Sequence, residues 1–218
     1  MILDTSRSIL ERRGLVSDFN YLDIGANNPK FISNTYWLYK LGYSGVLVEP
    51  TKHLANRLSA ERPWDVVLNV GITAEGDGTM PFYQFPPKAD GLSSFSQAEA
   101  DEALRKLAAM GKRLEYEVVQ VETRRISDML EKYFPAGKMF LCSIDVEGID
   151  YDILKSFDFG RCRPVFFIVE TAELTKAGFL GRKNNQCREF LEGRDYVLYA
   201  DSYINTIMVD RNILEKMY

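Results

Sequence analysis

Acidic side chains at the ends of apolar segments have the types and spacing needed for ligand recognition. Asp23 and Gly25 lie in the segment YLDIGANNP, and Glu49 ends the apolar segment VLVE about two dozen residues later. An apolar strand, a glycine turn, a helix and a second strand with an acidic end are typical of the nucleotide-binding half of a doubly wound α/β domain. A carboxylate at that place can accept hydrogen bonds from both hydroxyls of a ribose, so the pattern predicts a cofactor that contains adenosine.

The composition of the glycine turn favours S-adenosylmethionine over a dinucleotide. Nicotinamide and flavin sites have G-x-G-x-x-G between strand and helix, whereas only the first of these glycines is present here and a proline lies inside the turn. A cofactor with a ribose but no phosphate needs no glycine-rich cradle. We expect Asp23 or backbone carbonyls to accept its ammonium group, and hydroxyls to bind its carboxylate. The predicted cofactor-binding residues are Asp23, Gly25, Asn27, Ser33, Thr35, Glu49 and Asn69.

Several of these residues also have a purely structural interpretation. Asp23 could cap the turn, and Glu49 could be a solvated carboxylate at a strand end. Ser33 and Thr35 could belong to a helix N-cap. Asn69, which we expect near the adenine, could be a turn residue.

Apolar segments alternate with helical ones and predict an α/β fold. Near-continuous apolar strands separated by helices are typical of a parallel sheet covered on both faces. The last two strands have only a short connection, which predicts an antiparallel pair. Ser96 and Glu99 have capping-box spacing and predict a helix that ends near Gly111. The predicted strands of the sheet are 21–24, 45–48, 66–70, 139–146, 164–169, 196–199 and 206–209.

This order is the pattern of the class I methyltransferases, a Rossmann-like, seven-stranded, mostly parallel sheet with an antiparallel last strand. We predict a single domain over residues 1–218. Residues from about 73 to 123 interrupt the alternation of strands and helices, and we predict that they form an insertion that shapes the substrate pocket. The alternative is a plain antiparallel extension of the sheet, and the segment from Tyr116 to Val121 alternates like an exposed edge strand.

A second group of acidic residues follows the later strands. Asp145 and Glu147 come two residues apart at the end of one strand, so we expect their side chains on the same side, and Glu170 ends the next strand. Such carboxylates can act as a general base or can hold a metal ion that activates an acceptor. We predict Asp145 as general base or metal ligand, with Glu147 and Glu170 orienting the acceptor or completing a Mg²⁺ site with Asp145. The alternatives are that Glu147 stabilises the next helix N-terminus and that no metal binds.

Composition restricts the partners and the compartment. The net charge is −4 and basic residues do not cluster, which argues against nucleic acid as a partner. No apolar run is long enough for a transmembrane segment, and the first residues show no export signal. Three cysteines without a CxxC pair argue against structural zinc and are typical of a reduced, cytoplasmic protein.

The motifs together resemble the FkbM family of S-adenosylmethionine-dependent methyltransferases. The resemblance covers nearly the whole chain, and its most characteristic segments are LDIGAN, VEP and SIDVEG in this order and spacing. Further matching segments are SNT at 33–35, RP at 62–63, LNVG at 68–71, GLSSF at 91–95, TRRISDML at 123–130, RP at 163–164 with Glu170, and ADSYINT at 200–206.

The resemblance implies methyl transfer, usually to oxygen. Many members act on sugars in polysaccharide, lipopolysaccharide or glycolipid pathways, and others act on natural products. We therefore predict an O-methyltransferase for a hydroxyl of a sugar or glycoconjugate, with a small-molecule or glycan acceptor. An N- or C-methyltransferase of the same fold and a catalytically inactive cofactor-binding module stay open. A short-chain oxidoreductase fails on the glycine pattern, and its YxxxK pair would fall on the wrong helix. Acceptor, methylated position, metal requirement and oligomeric state are also open.

Overall fold

The computed structural model describes residues 2–74, 76–174 and 180–217. Its strands are β1 (Tyr21–Ile24), β2 (Gly45–Val48), β3 (Val66–Leu68), β4 (Gly71–Thr73), β5 (Gly78–Gln84), β6 (Glu117–Arg125), β7 (Lys138–Ile144), β8 (Arg163–Glu170), β9 (Ala172–Leu174), β10 (Leu180–Lys183), β11 (Tyr196–Asp201) and β12 (Asn205–Asp210). Its helices are α1 (Ile2–Arg12), α2 (Tyr36–Lys40), α3 (Lys52–Glu61), α4 (Gln97–Ala109), α5 (Ile126–Tyr133), α6 (Asp150–Lys155), α7 (Gln186–Glu192) and α8 (Arg211–Met217).

Seven strands form one mixed sheet with the order β11-β12-β8-β7-β1-β2-β3. The pairs of β1 with β2 and β7, of β2 with β3, and of β7 with β8 are parallel. Strand β12 runs antiparallel to both β8 and β11. The α/β class and the antiparallel final strand agree with the sequence prediction. Parallel strands bring the carboxyl ends of β1, β2, β7 and β8 to the same edge.

Hydrophobic clusters cover both faces of this sheet. One cluster joins Leu22 and Ile24 to the buried faces of α5, α6 and α7. The other contains Tyr21, Leu47 and residues of α1, α2, α3 and α8. Phe166 and Phe167, adjacent on β8, enter different clusters because successive strand residues point to opposite faces. The apolar strands are therefore buried on both sides, as predicted.

The segment between β3 and α5 forms its own sheet with the order β4-β6-β5. Helix α4 packs beside it through Ala100 and Leu107, which form a third cluster with Phe85. The Ser96 hydroxyl accepts a hydrogen bond from the Glu99 amide (3.3 Å), as the capping-box spacing predicts. The insertion and the single domain stay predictions.

Several predicted boundaries were wrong. The strand predicted at 66–70 ends at Leu68, and the chain then enters the second sheet as β4. The segment predicted as an edge strand is β6, the central strand of that sheet. The strand predicted to reach Val146 ends at Ile144. Strands β9 and β10 and helix α8 were not predicted.

Candidate functional site

A large cavity lies at the carboxyl edge of the main sheet. Its volume is about 1220 Å³, and the residues that follow β1, β2, β7 and β8 line it together with loops of the second sheet and the β11–β12 turn. Ligand pockets usually measure about 300–1,000 Å³. The cavity therefore has room for a cofactor and part of a second substrate.

Glu49 lies in this cavity immediately after β2 and is held by the backbone. Its carboxylate accepts hydrogen bonds from the amides of Asn27 (2.9 Å) and Thr51 (2.7 Å). Burial raises the pKa of Glu49 to about 7, although these backbone hydrogen bonds act in the opposite direction. Asn27 adopts the left-handed conformation (φ 44°), which asparagine tolerates better than most residues. The result is a fixed acceptor group in a largely apolar wall.

Gly25 is needed for contact between two strand ends. Its φ is 84°, and a Cβ there would lie 1.8 Å from the backbone carbonyl oxygen of Asp145. Gly25 is one of the residues predicted from the sequence to bind the cofactor. The structure shows that it lines the cavity and also lets the turn after β1 pass against the residue that follows β7.

Asp23 belongs to a buried network below the cavity floor, which we call the floor network: Asp23, Thr35, Arg62 and Asp65. The Thr35 hydroxyl donates to Asp23 (2.7 Å), and the Arg62 guanidinium donates to Thr35 (3.1 Å) and to Asp65 (2.7 Å). Arg62 is fully buried. Burial raises the pKa of Asp23, whereas the Thr35 hydrogen bond and the Arg62 charge act against that increase.

The predicted cofactor residues divide into two groups. Five of them line the cavity: Asp23, Gly25, Asn27, Ser33 and Glu49. Thr35 and Asn69 are not among the described residues that line it, so the structure does not place them as direct contacts. Thr35 is fully buried in the floor network. Asn69 donates instead to the backbone carbonyls of Glu49 (2.9 Å) and Pro50 (2.8 Å), where it fixes the turn after β2.

Asp145, Glu147 and Glu170 meet on the cavity wall, and we call them the acid cluster. One carboxylate oxygen of each lies within 4.8 Å of the others. The sequence analysis expected this proximity, but its reason was wrong, because β7 ends at Ile144 and Glu147 is in a turn with φ 54°.

The turn after β7, which carries Asp145 and Glu147, is held from two sides. The Asp150 carboxylate accepts hydrogen bonds from the amides of Val146 and Gly148, both at 3.2 Å. The Ser94 hydroxyl donates to the backbone carbonyl of Glu147 (2.7 Å). Asp150 and Ser94 therefore fix the backbone of this turn, and Glu147 lines the cavity.

Burial and mutual repulsion dominate the electrostatics of the acid cluster. Burial, followed by the charge of Glu170, raises the pKa values of Asp145 and Glu147 well above their usual range. Burial also raises the pKa of Glu170 to about 7. A hydrogen bond between Asp145 and Glu170 raises the pKa of the former and lowers that of the latter. Burial thus favours the protonated forms of both groups, and the hydrogen bond favours ionisation of Glu170 over that of Asp145.

An asparagine pair extends the polar wall beside Glu170. Asn205 pairs with Glu170 in the β12–β8 register and donates to the Asn34 side-chain oxygen (3.5 Å). Asn34 in turn donates to the Ser143 hydroxyl (3.1 Å). The buried side-chain oxygen of Asn205 has no hydrogen-bond partner among the residues that the structure describes. This free acceptor can bind a hydroxyl or ammonium group of a ligand.

Sequence reasoning missed Arg62, Asn34 and Ser143. Arg62 and Asn34 lie in segments quoted for the family resemblance, but neither received a role. A fully buried arginine has no local signal, because its partners come from distant positions. Asn34 follows Ser33 and precedes Thr35, two residues that were considered for their hydroxyls only.

A comparison with protein families agrees with this architecture. The family described as the methyltransferase FkbM domain matches residues 23–198. The chain therefore belongs to this family, and its functional class is methyltransferase. No curated protein matches the chain. None of the helices that the structure describes is both long and apolar enough to cross a lipid bilayer.

Proposed function

We propose that the protein is an S-adenosylmethionine-dependent methyltransferase that acts on a hydroxyl oxygen of a sugar or glycoconjugate. One observation carries this proposal: the same cavity contains Glu49 after β2 and the acid cluster after β7 and β8. The first suits recognition of a ribose, and the second suits proton removal from an alcohol. The family supports the transfer of a methyl group, and the acceptor class is our inference.

The sheet order supports assignment to the class I methyltransferases. Numbered along the seven strands of the main sheet, the order reads 6-7-5-4-1-2-3, with the seventh strand antiparallel to its neighbours. Ligands of open α/β sheets bind outside the carboxyl ends of the strands where the order reverses. Here that reversal lies between β1 and β7, beside Gly25 and Asp145.

The residues at the cavity fit an adenosine cofactor without phosphate groups. Glu49 would hold the ribose, because each oxygen retains a lone pair after accepting its backbone amide. Asp23 would stabilise the ammonium group, and Ser33 and the turn of Gly25 and Asn27 would hold the carboxylate. When bound, S-adenosylmethionine supplies a methyl group on a sulfonium, which is electrophilic. Cofactor use by this chain is a proposal that rests on this donor set.

Asp145 and Glu170 would remove the proton of the acceptor hydroxyl. A sugar hydroxyl is a poor nucleophile at neutral pH, and general base catalysis usually contributes about 10²–10⁴-fold. The ionised member of the pair accepts the proton while the protonated member stabilises it by hydrogen bonding. Glu147, whose carboxylate lies beside both, would orient a neighbouring hydroxyl. The acceptor oxygen would form its bond to the methyl carbon as the bond between that carbon and the sulfonium sulfur breaks; S-adenosylhomocysteine would leave, and the proton would remain on the carboxylate pair until it passes to solvent.

A magnesium ion is the alternative role for the acid cluster. Three carboxylate oxygens within 4.8 Å of one another form an all-oxygen donor set, which hard cations prefer. Asp145 and Glu170 would hold the ion, and its charge would lower the pKa of a bound hydroxyl. Activity with and without a chelator distinguishes the two roles, because only the metal-bound form loses activity on chelation and regains it with Mg²⁺.

The first test is calorimetric titration with S-adenosylhomocysteine. We expect micromolar binding that Glu49→Gln weakens by at least about tenfold, because the amide loses the charge that strengthens its hydrogen bonds. Glu192→Gln is the matched control, since Glu192 lies on α7 and pairs with Arg188. Failure of the wild-type protein to bind would contradict the cofactor assignment. Equal binding by both glutamine variants would contradict the role of Glu49.

The second test screens neutral and charged sugars, nucleotide sugars and glycans with isotopically labelled S-adenosylmethionine. We expect label in an O-methyl group, and its loss in Glu170→Gln. Methylation of nitrogen or carbon that survives this substitution would support the other methyltransferase reaction. Binding of the cofactor without methylation of any acceptor would favour an inactive cofactor-binding module.

The proposed compartment is the cytoplasm. Cys142, Cys162 and Cys187 are free and buried, as expected for a reduced environment. The prediction that nucleic acid is not a partner rests on charge alone and is unchanged.

A further inference from the structure

Three basic side chains line the same cavity as the acid cluster. Lys88, Lys112 and Arg113 are exposed and belong to loops that flank α4. In the part of the chain that the structure describes, none of them forms an ion pair with a carboxylate within 4.0 Å. Their positive charge is therefore available to a ligand.

Hydrophobic packing fixes these charges on one wall. Ala89 and Leu92 on one side and Leu114 on the other pack into the cluster of Phe85, Ala100 and Leu107. Lys88 precedes Ala89, and Lys112 and Arg113 precede Leu114. Two loops that are distant in sequence thus pack into one hydrophobic cluster with α4, and their basic residues line one cavity.

The chain turns sharply after α4 to place the second loop. Gly111 has φ 74°, and the amide of Lys112 donates to the carbonyl of Leu107 (3.0 Å). This glycine turn is a common helix C-terminus. It gives Lys112 and Arg113 a defined position beyond the helix rather than a place on its solvent face.

Lys112 and Arg113 follow the end of α4 that is remote from the acid cluster, whereas Lys88 precedes the helix. Ser94, just before the helix, contacts the Glu147 backbone, whereas Lys112 follows the end of the helix. A helix of this length, 13 residues, spans about 20 Å at 1.5 Å per residue. A ligand that contacts both the acid cluster and Lys112 or Arg113 therefore has to extend along this helix.

We propose that the acceptor is an extended anionic glycoconjugate. Its phosphate, diphosphate or carboxylate group binds Lys88, Lys112 and Arg113 while the hydroxyl to be methylated lies at the acid cluster. Acidic residues at one end repel the anion and basic residues at the other attract it, so the ligand enters in one orientation. Remote binding energy of this kind can position the reacting hydroxyl. The inference rests on the proposed function and names its substrate class.

Calorimetric titration of the protein saturated with S-adenosylhomocysteine tests this inference. The probes are inorganic pyrophosphate, a uridine diphosphate sugar, a uronic acid oligosaccharide and a neutral oligosaccharide of equal length. We expect the anionic probes to bind more tightly than the neutral one and to weaken with added salt. The triple variant Lys88→Ala, Lys112→Ala, Arg113→Ala should weaken anion binding by at least about tenfold, because each exposed charge pair contributes up to about fivefold.

A matched triple variant controls for net charge. Lys132, Lys138 and Lys216 lie outside the cavity, and their replacement by alanine removes the same charge. We expect this variant to bind all probes as the wild type does. Preference for phosphate probes over the uronic acid would identify a phosphorylated acceptor, and the reverse a carboxylated one.

Three outcomes would overturn the inference. They are equal binding of neutral and anionic probes, equal loss in both triple variants, and weaker binding of S-adenosylhomocysteine by the cavity variant alone. The last would show that the basic residues serve the cofactor. Failure of the wild type to bind S-adenosylhomocysteine contradicts the proposed function instead, and so the two failures are distinguishable.

Discussion

Two groups of acids lie beside the same cavity and differ in burial and in counterions: the side chains of Asp23 and Asp65 are buried, whereas the acid cluster is half-buried. In the floor network, Asp65 pairs with Arg62 (2.7 Å), and Thr35 links the same guanidinium to Asp23. In the acid cluster, three carboxylates lie together, and no basic side chain among the described residues forms an ion pair with them.

The difference separates a structural use of buried charge from a functional one. A buried charge is costly unless it is paired and hydrogen-bonded. The floor network satisfies this condition within the fold, so it can position β1 and α2 without a ligand. The acid cluster has no such cation among the described residues; burial raises the pKa values of its members, and the charge of Glu170 raises those of Asp145 and Glu147 further. Binding of a proton, a cation or a hydroxyl donor to such a cluster is therefore favourable, because it offsets the repulsion between the carboxylates.

Loss of the central arginine is the largest effect we predict. Arg62→Met should lower the free energy of unfolding by about 3–5 kcal/mol, because it leaves Asp65 buried without its cation. Urea denaturation measures the change. Arg57→Ala is the control on the same helix, since Arg57 is half exposed and pairs with Glu61, and should cost less than about 1 kcal/mol. A similar cost for both variants would show that the floor network is not a structural unit.

A substitution in the acid cluster should instead reduce activity without reducing stability. Glu170→Gln should lower kcat by at least about 100-fold, because it removes the more readily ionised member of the base pair. The free energy of unfolding should stay the same or rise, because one of three mutually repelling groups has gone. Steady-state kinetics and urea denaturation measure both quantities. Loss of stability comparable to that of Arg62→Met would remove the contrast between the two groups.

The pH dependence of cofactor binding tests Glu49, an acid without a cationic partner. Its pKa is raised to about 7 from an ordinary 4.5, mainly by burial, so the fold favours its protonated form. The stability that protonated Glu49 contributes is fully present below the pKa of this residue in the unfolded chain, and it is lost as the pH rises through the folded-state pKa of about 7. Ribose recognition needs the carboxylate, so affinity for S-adenosylhomocysteine should fall by up to about tenfold for each pH unit below 7.

The Glu49→Gln variant is the control for that pH profile. Its affinity should be lower than that of the wild type above pH 7, and its slope below that pH should be flatter. Calorimetric titrations between about pH 5.5 and pH 8 cover the predicted transition. The same slope in both proteins would assign the dependence to other carboxylates.

Much of the fold could be predicted because its signals are local. The apolar segments of β1 and β2 were predicted with the bounds that the structure has. Boundaries failed where tertiary contacts decide them. The third strand ends early, where Asn69 bonds to carbonyls after β2, and β7 ends early, where Gly25 lies against Asp145.

The sequence identified the edge of the sheet at which the site lies, but not which side chains line the cavity and which belong to the floor network. Strand ends identified Glu49 and the acid cluster, because parallel strands bring their carboxyl ends together. Nothing in the spacing showed that Thr35 faces Asp23 and Arg62 while Ser33, two residues earlier, lines the cavity. That distinction depends on the buried Arg62, which follows α3 and donates to Thr35 just before α2, a contact between distant parts of the chain.

This pair of hydroxyls gives the smallest and most specific prediction. Thr35→Val keeps the shape of the side chain but removes a donor to Asp23 and an acceptor from Arg62, both buried, and should cost about 1–3 kcal/mol of unfolding free energy. Ser33→Ala removes a hydroxyl whose bond to Arg62 is longer (3.2 Å) and that faces the cavity, so it should cost about 1 kcal/mol or less. Calorimetry should show the reverse order for S-adenosylhomocysteine, with Ser33→Ala the weaker binder. If Thr35→Val weakened cofactor binding more than Ser33→Ala at equal stability, Thr35 would be a ligand contact and the boundary between floor network and cavity would have to move.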